Sequence, residues 1–327
     1  MTTTVIPALD TPPPSASLRG APEPARIGSI RIGTASWTER TLLDSGSFYP
    51  AGINTPELRL RYYARHFPVV EVDASYYALP SVRNARAWVE RTPPDFLFGI
   101  KAYAALTQHP LEPRRLDRDL QGALPPALRT QPRIYPHELP PSLVDPMWKR
   151  FLEAAATIRA AGKLAYLLFQ MPPWFRAGNE SRAYLEEIAA RAAGFPLAVE
   201  FREPLWMAEA QRERTLDFLE RNGLAYVSVD EPQHTRSSVP PVAASTSDTV
   251  AVVRFHGRRR ETWAVRGVGT TERFRYAYRP DELGEWIPRL HTLARRAKNV
   301  LAVMNNCYRD NAVQNAKDLA RMLAAGG

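Results

Sequence analysis

Cysteine is almost missing from this sequence, which has one, Cys307, among 327 residues. No disulfide can form within the chain, which fits a reducing compartment. Every apolar run is far shorter than the roughly 20 residues of a membrane-spanning helix. Residues 1–20 lack a basic start followed by a long apolar core, so they do not resemble a secretory signal. We therefore expect a cytoplasmic protein that does not contact a membrane.

Short motifs of several common enzyme classes are also absent. Neither G-x-G-x-x-G nor G-x-x-x-x-G-K-[ST] occurs, and the segment Gly33–Trp37 contains one glycine. This argues against an open doubly wound nucleotide-binding sheet, the second fold that the element order allows. G-x-S-x-G is missing, so a serine triad has no support. No H-E-x-x-H or C-x-x-C spacing indicates zinc.

Basic residues outnumber acidic ones, 43 to 34, which gives a net charge of +9 and a pI of about 9.8. We interpret this as a solvated basic surface that also attracts anionic ligands. Nucleic acid is the alternative partner, because arginines concentrate in residues 257–278, although no aromatic nucleic-acid motif accompanies them. These arginines are Arg258, Arg259, Arg260, Arg266, Arg273 and Arg275.

Eight short apolar runs are the strongest positive signal. Most are followed by loop residues and then a helical pattern, which predicts a (β/α)₈ TIM-type barrel. The predicted strands are Ile30–Thr34, Val69–Asp73, Leu97–Lys101, Leu164–Gln170, Leu197–Arg202, Leu224–Asp230, Val250–His256 and Val300–Asn305.

The predicted domain plan is a disordered Pro/Ala-rich tail, residues 1–28, followed by one barrel domain over residues 29–327. Two connections are unusual. Residues 104–146, after strand three, form a long proline-rich loop, and a helix is expected only from Met147 to Ala161. Residues 231–248, after strand six, have almost no helical period, so the sixth helix is expected to be irregular or missing.

Polar residues end nearly every predicted strand. Because residues two apart share a face, Glu71 and Asp73 face the same way, and so do the pairs Glu200/Arg202 and Arg254/His256. In a closed barrel these side chains meet at the carboxyl-terminal mouth, where barrel enzymes have their active sites. Lys101, Gln170, Asp230 and Asn305 end their own strands and complete the predicted ring.

The ring favours an enzyme that performs acid/base chemistry on a small polar or anionic molecule, such as a sugar. The predicted catalytic residues are Glu71, Lys101, Glu200 and His256. Arginine side chains would hold anionic groups, and aromatic side chains would form the walls. The predicted binding residues are Thr34, Trp37, Asp73, Tyr76, Gln170, Arg202, Trp206, Asp230, Arg254, Asn305 and Asn306.

Two alternatives remain. Glu71, Glu200, Asp230 and His256 are a hard ligand set suited to Mg²⁺ or Mn²⁺ in a metal-dependent, isomerase-like enzyme, although Lys101 and the arginines would compete with the ion. A protein that binds nucleic acid without catalysis, through the arginine-rich loop, is the other. Our main expectation includes no metal and no cofactor.

The strand ends also resemble those of the YecE-like family, domain of unknown function 72. The matching segments are Gly33–Trp37, Phe48–Pro50, Val70–Asp73 with Tyr76–Pro80, Phe98–Lys101, Gln170–Pro173, Val199–Arg202 with Trp206, Arg254–Arg258, and Asn305–Asn306 followed by Ala312 and Asn315–Ala316.

The resemblance covers about residues 29–323. It implies a TIM-type barrel that is related to sugar isomerases and has no settled reaction. This chain departs from the family pattern at two places. Asp73 stands where the family usually has Asn, which makes the mouth more acidic. Gln108 separates Thr107 from His109, which are usually adjacent.

Overall fold

The strands form where the apolar runs predicted them. The computed structural model describes residues 25–265 and 267–326. Its strands are β1 Arg26–Ile27, β2 Ile30–Ala35, β3 Val69–Val72, β4 Leu97–Lys101, β5 Leu164–Gln170, β6 Leu197–Glu200, β7 Leu224–Asp230, β8 Val250–Phe255 and β9 Asn299–Met304. The largest difference from the prediction is at β6, which was expected to reach Arg202.

Strands β2 to β9 pair in sequence order, all in parallel, and β9 also pairs with β2. Ile30 lies opposite Val300 and Thr34 opposite Met304 at this closing seam. The sheet is therefore a closed eight-stranded barrel, and the predicted TIM-type fold is confirmed. Closure gathers the carboxyl ends of all eight strands at one mouth.

Helices cover the outside of the barrel. They are α1 Arg40–Ser45, α2 Pro56–Tyr63, α3 Val82–Glu90, α4 Arg118–Ala123, α5 Pro126–Arg129, α6 Pro141–Ala160, α7 Asn179–Arg191, α8 Glu209–Arg221, α9 Arg260–Trp263, α10 Thr270–Arg273, α11 Pro280–Gly284, α12 Ile287–Ala294 and α13 Asn311–Ala325. Thr55 and Ser81 cap α2 and α3 by accepting backbone N–H bonds, as their positions predict. None of the described helices is long and apolar enough to cross a membrane.

The connection after β7 lacks the sixth helix of the barrel, as the sequence predicted. No helix separates β7 from β8, and residues 231–249 form an irregular connection. Pro232, Pro240 and Pro241 interrupt helical hydrogen bonding there. The buried Val239 anchors the loop instead.

The proline-rich segment after β4 is more ordered than the sequence indicates. It contains α4, α5 and three short 3₁₀ turns, and α6 begins at Pro141 rather than at the predicted Met147. Proline is well tolerated in the first helical turn, and α6 also accommodates Pro146. Leu111 and Ile134 exchange backbone hydrogen bonds of 2.8 and 2.9 Å and are both buried. Spaced apolar side chains therefore fix this segment without a helical period.

The predicted tail of residues 1–28 falls into two parts. Residues 1–24 lie outside the described residues. Ala25 is buried, and β1 pairs antiparallel with β2, Ile27 lying opposite Ile30. The described residues therefore include four, residues 25–28, that were assigned to the tail.

Gly99 determines where the side chain of Tyr166 lies in the barrel. Gly99 on β4 lies opposite Tyr166 on β5. A Cβ at Gly99 would lie 2.4 Å from Tyr166 Cζ and 2.6 Å from its hydroxyl. The missing side chain therefore lets the tyrosine ring cross the strand and donate to Glu71 Oε2 at 2.8 Å.

We expect Gly99→Ala to destabilise the protein by roughly 1–3 kcal/mol, because the methyl group displaces the Tyr166 ring and breaks its bond to Glu71. Urea unfolding measures the change. Gly122→Ala is the matched control, since Gly122 is an exposed α4 residue with no atom near its Cβ position. That variant should gain a few tenths of a kcal/mol. Equal stability of Gly99→Ala and the wild type would contradict this account of the tyrosine.

Candidate functional site

A cleft of about 380 Å³ opens at the carboxyl-terminal mouth of the barrel. The polar residues that line it from strand ends include Lys101, at the end of β4, Gln170, at the end of β5, and Asn305, directly after β9. Arg202 lies two residues beyond β6 and faces the same cleft. Enzyme sites are commonly concave pockets of this kind with a few convergent polar groups.

Arg254 lies below this cleft, inside the barrel and fully buried. Its Nη2 donates to Glu71 Oε1 at 2.6 Å, and its Nη1 donates to Glu200 Oε2 at 2.6 Å. One guanidinium on β8 therefore joins carboxylates on β3 and β6. A buried charge needs such partners, because uncompensated burial of an ion is very costly.

Glu200 has two further partners. Arg202 Nε donates to Glu200 Oε1 at 2.6 Å, and His256 Nε2 lies 3.2 Å from the same oxygen. Arg202 Nη1 donates to Glu231 Oε2 at 3.3 Å, and Asn305 Nδ2 lies 2.8 Å from His256 Nδ1. A continuous polar network therefore extends from the barrel interior to the cleft.

The two carboxylates of the Arg254 bridge differ in acidity. Burial alone would raise the pKa of Glu200, but Arg202, Arg254 and His256 outweigh it and hold that pKa well below its usual value. At Glu71, burial outweighs Arg254, so its pKa is raised. Burial and Arg202 lower the pKa of His256 to about 3, so this ring is neutral at pH 7.

Glu231 is the third buried carboxyl of the network. Burial raises its pKa to about 8 in spite of the nearby Arg202, and its Oε1 accepts from Val239 N at 2.6 Å. With Glu231 protonated, the carboxylate that balances Arg202 is Glu200, which also pairs with Arg254. An anionic group beside Arg202 would therefore meet a guanidinium whose carboxylate partner is shared.

A second ion pair lies on the cleft wall. Lys101 Nζ lies 2.9 Å from Asp73 Oδ1 and 4.6 Å from the centroid of the Tyr76 ring. Burial opposes ionisation of Asp73, but Lys101 and Arg254 outweigh it and lower its pKa. Lys101 therefore pairs with Asp73 and not with Glu71.

The structure brings most of the predicted site residues together. Six of them line the cleft: Asp73, Tyr76, Lys101, Gln170, Arg202 and Asn305. Four are fully buried and do not line it: Glu71, Glu200 and Arg254, in the layer below, and His256, which contacts Trp263 and Phe274. Three of the four predicted catalytic residues therefore do not line the cleft.

The structure corrects the predicted placement of Asp230, because its side chain lies outside the barrel and not at the mouth. It accepts from the Arg258 Nη2 (2.7 Å), the Tyr278 hydroxyl (2.6 Å) and the Trp286 Nε1 (2.6 Å). These partners follow β8 or belong to the helical layer. Strand alternation explains the error, since the inward side chain belongs to the next residue, Glu231.

Four other predicted binding residues also lie away from the cleft. The Thr34 hydroxyl contacts the Tyr63 hydroxyl of α2, and Trp37 packs edge-on against Trp88 of α3. Both face the helical layer. They entered the prediction because Thr34 ends the first predicted strand and Trp37 follows it, although both side chains point outward.

The remaining two stabilise loops. Trp206 stacks between Phe175 and Phe201 and donates to the Phe175 carbonyl oxygen at 2.8 Å. Asn306 Nδ2 donates to the Tyr276 carbonyl oxygen and to Asn315 Oδ1, both at 2.9 Å. Neither lines the cleft.

Sequence reasoning missed several residues of the site. Tyr166 could have been found, because it shares the inward face of β5 with Gln170. His109, Trp174 and Arg273 line the cleft from loops or from α10, where no strand or helix period marks them. Trp263 and Phe274, in the loop after β8, also lie over the mouth. That loop covers part of the mouth.

Three arginines of the loop after β8 form ion pairs with acidic side chains. Arg258 pairs with Asp230 and Glu285, and Arg259 pairs with Glu272. Arg275 also pairs with Glu272, at 3.5 Å. Arg266 lies outside the described residues.

The proposed Mg²⁺ or Mn²⁺ ligands do not form one set. Asp230 faces away from the barrel, and Arg254 occupies one oxygen of each of Glu71 and Glu200. Within residues 25–265 and 267–326, no three His, Cys, Asp or Glu side chains are grouped as a metal site requires. The described residues therefore do not fit the metal-dependent alternative.

Comparisons with known proteins agree with this architecture. The family described as "Protein of unknown function DUF72" matches residues 31–327. The UPF0759 protein YunF of Bacillus subtilis (strain 168) is 32% identical over 297 residues, which cover 90% of this chain and 94% of that protein. Its name states no activity.

Two crystal structures of DUF72 family proteins are similar to the chain. One, from Enterococcus faecalis V583, has a TM-score of 0.72 and 26% identity, covering 90% of this chain and 95% of that one. The other, from Thermotoga maritima MSB8, has a TM-score of 0.69 and 27% identity, covering 90% and 99%.

The Arg254 bridge predicts opposite pH dependences for its two carboxylates. We expect Glu200→Gln to lose about 3 kcal/mol or more at pH 7, because two buried arginines lose their shared anion. Since the pKa of Glu200 is depressed, its contribution is present above the ordinary value of 4.5 and fades as pH falls below it.

Glu71→Gln is the matched comparison. The raised pKa of Glu71 makes the wild type lose stability as pH rises above 4.5, so the cost of this substitution should shrink with rising pH. Urea unfolding of the three proteins between pH 3 and pH 8 measures both slopes. Parallel slopes for the two variants would show that this assignment of charge is wrong.

Proposed function

The chain belongs to the DUF72 family of uncharacterised barrel proteins, and from that premise we propose that it is an enzyme acting on a small anionic, sugar-like molecule. The molecule would bind in the cleft at the mouth of the barrel. Fold alone cannot carry such a proposal, since TIM-type barrels support many unrelated reactions. The proposal rests on the residues that line the cleft.

The observation that carries the proposal is a group of three cationic side chains on one cleft. Lys101 and Arg202 come from strand ends, and Arg273 comes from α10 above the mouth. Asp73 balances Lys101, but Arg202 shares Glu200 with Arg254, and burial raises the pKa of its second partner, Glu231, so that Arg202 lacks an anion of its own. A carboxylate or phosphate group of a ligand would supply it.

Aromatic rings on the same cleft suit a ring-shaped ligand. Trp174 is 53% exposed and Tyr77 is 41% exposed, although both are large and largely apolar. Exposed aromatic side chains in a pocket offer flat surfaces on which the apolar face of a sugar can stack. Gln170 and Asn305 add amide groups that can bind hydroxyls.

Proton transfer would involve side chains that face the ligand, and one ion pair does. Lys101 and Asp73 are in contact with each other and line the cleft, so a bound molecule can reach both. Glu71 and Glu200 hold Arg254 in the layer below, and we assign them to positioning rather than to contact with the substrate. General acid/base catalysis requires such direct reach.

Isothermal titration calorimetry with glucose 6-phosphate, glucose and inorganic phosphate tests this assignment. Arg273→Gln should weaken glucose 6-phosphate and phosphate about tenfold, because it removes one charge-assisted contact. Trp174→Ala should weaken the two sugars by a similar factor and leave phosphate unchanged.

Matched controls are Arg321→Gln and Tyr135→Ala, which alter an exposed arginine and an exposed aromatic residue outside the cleft. Both should bind all three probes like the wild type. If Arg273→Gln binds glucose 6-phosphate as tightly as its control does, the anion subsite is misplaced.

A further inference from the structure

His109 lies in the cleft and has had no role so far. It follows a 3₁₀ turn, Ala104–Thr107, and a single residue, Gln108, whose φ of 63° is in the left-handed region. This turn brings Thr107 and His109 side by side, although they are not adjacent in sequence. The histidine is 9% exposed and lines the cleft.

Two aromatic residues fix the plane of the His109 ring. Tyr76 meets it edge-on with centroids 5.3 Å apart, and Trp174 does so at 5.7 Å. One ring follows β3 and the other follows β5. The imidazole is therefore held between two walls of the cleft before any ligand binds, which is the preorganisation that a functional group needs.

Thr107 determines which ring nitrogen carries the proton. Its Oγ1 lies 3.0 Å from the Ala104 carbonyl oxygen and 3.0 Å from His109 Nδ1. A hydroxyl has one proton, and a carbonyl oxygen can only accept. Both contacts are hydrogen bonds only if the hydroxyl donates to Ala104 and accepts from Nδ1–H. The proton of the neutral ring is then on Nδ1, and Nε2 has a free lone pair.

The Nε2 atom has no hydrogen-bond partner among the residues that the structure describes. Burial, with Lys101 and Arg202 nearby, lowers the pKa of His109 to about 3, so the ring is neutral at pH 7. His256 is also neutral, but it is fully buried and both its nitrogens contact protein groups. His109 is thus the histidine available to a ligand in the cleft.

We propose that His109 Nε2 is the proton acceptor of this cleft and that the Thr107 hydroxyl is the positioning group that keeps this nitrogen unprotonated. The inference rests on the proposed function, because it requires that a ligand occupy the cleft. The ligand class is a polyhydroxy compound with an anionic group. One ligand hydroxyl would donate to Nε2 while the anionic group contacts the cationic side chains.

The proton transfer is balanced within the site. The ligand O–H bond breaks, an Nε2–H bond forms, and the bonding electron pair stays on the ligand oxygen, in the cleft that Lys101 also lines. The product pair is an imidazolium and an alkoxide. Burial is the main cause of the lowered His109 pKa, and a bound anion would offset the additional effect of the positive charges of Lys101 and Arg202.

Long-range ¹H–¹⁵N NMR of protein labelled with ¹⁵N-histidine tests the tautomer without any ligand. The expected His109 pattern at pH 7 is a neutral ring with the proton on Nδ1, and Thr107→Val should shift it toward the Nε2–H form. Thr215→Val is the control, since Thr215 is a buried threonine of α8 whose hydroxyl has no partner. A proton on Nε2 in the wild type, or an unchanged pattern in Thr107→Val, would overturn the inference.

Carbethoxylation by diethyl pyrocarbonate, followed by peptide mass mapping, tests the ligand contact. The reagent should modify His109 and leave His256 unmodified, and glucose 6-phosphate should slow the His109 reaction at least fivefold. If calorimetry shows that glucose 6-phosphate binds but His109 is not protected, the His109 inference fails and the proposed function stands. If glucose 6-phosphate does not bind at all, the proposed function fails and the ligand role of His109 fails with it.

Discussion

The Arg254 bridge is the interaction on which the rest of the mouth depends. One guanidinium crosses the barrel interior and satisfies carboxylates from two strands that are far apart in sequence. An arginine of this kind is always charged, so the barrel must supply anions around it. Glu71 and Glu200 do so, and their remaining oxygens then orient Tyr166, Arg202 and His256. The lower layer is therefore a rigid charged floor.

The polar residues at the strand ends are of two kinds, and the sequence pattern alone cannot distinguish them. Glu71, Glu200 and Arg254 lie deeper in the barrel, where they bind one another and do not line the cleft. Residues one step higher, such as Lys101 and Arg202, have part of their surface in it. We propose that side chains of the upper layer perform the chemistry and that the lower layer fixes the positions and charges of those side chains.

The sequence predicted the barrel well because its signals are local. Eight apolar runs and the proline-rich gap before β8 needed no knowledge of tertiary contacts. Its failures have specific physical causes. Asp230 and Thr34 were assigned inward although the alternation of their strands places them outward, and only their partners, Trp286 and Tyr63, reveal this. His109 and Trp174 were missed because loop conformation, not periodicity, brings them to the cleft.

The pairing of Gly99 with Tyr166 carries a consequence for comparing relatives. A barrel in which a larger residue replaces the glycine has no room for the crossing ring, and its counterpart of Glu71 then loses a donor. Glycine and tyrosine at these two registers should therefore change together during evolution. Relatives could be sorted by this two-residue marker into those that share the same charged floor and those that have rebuilt it.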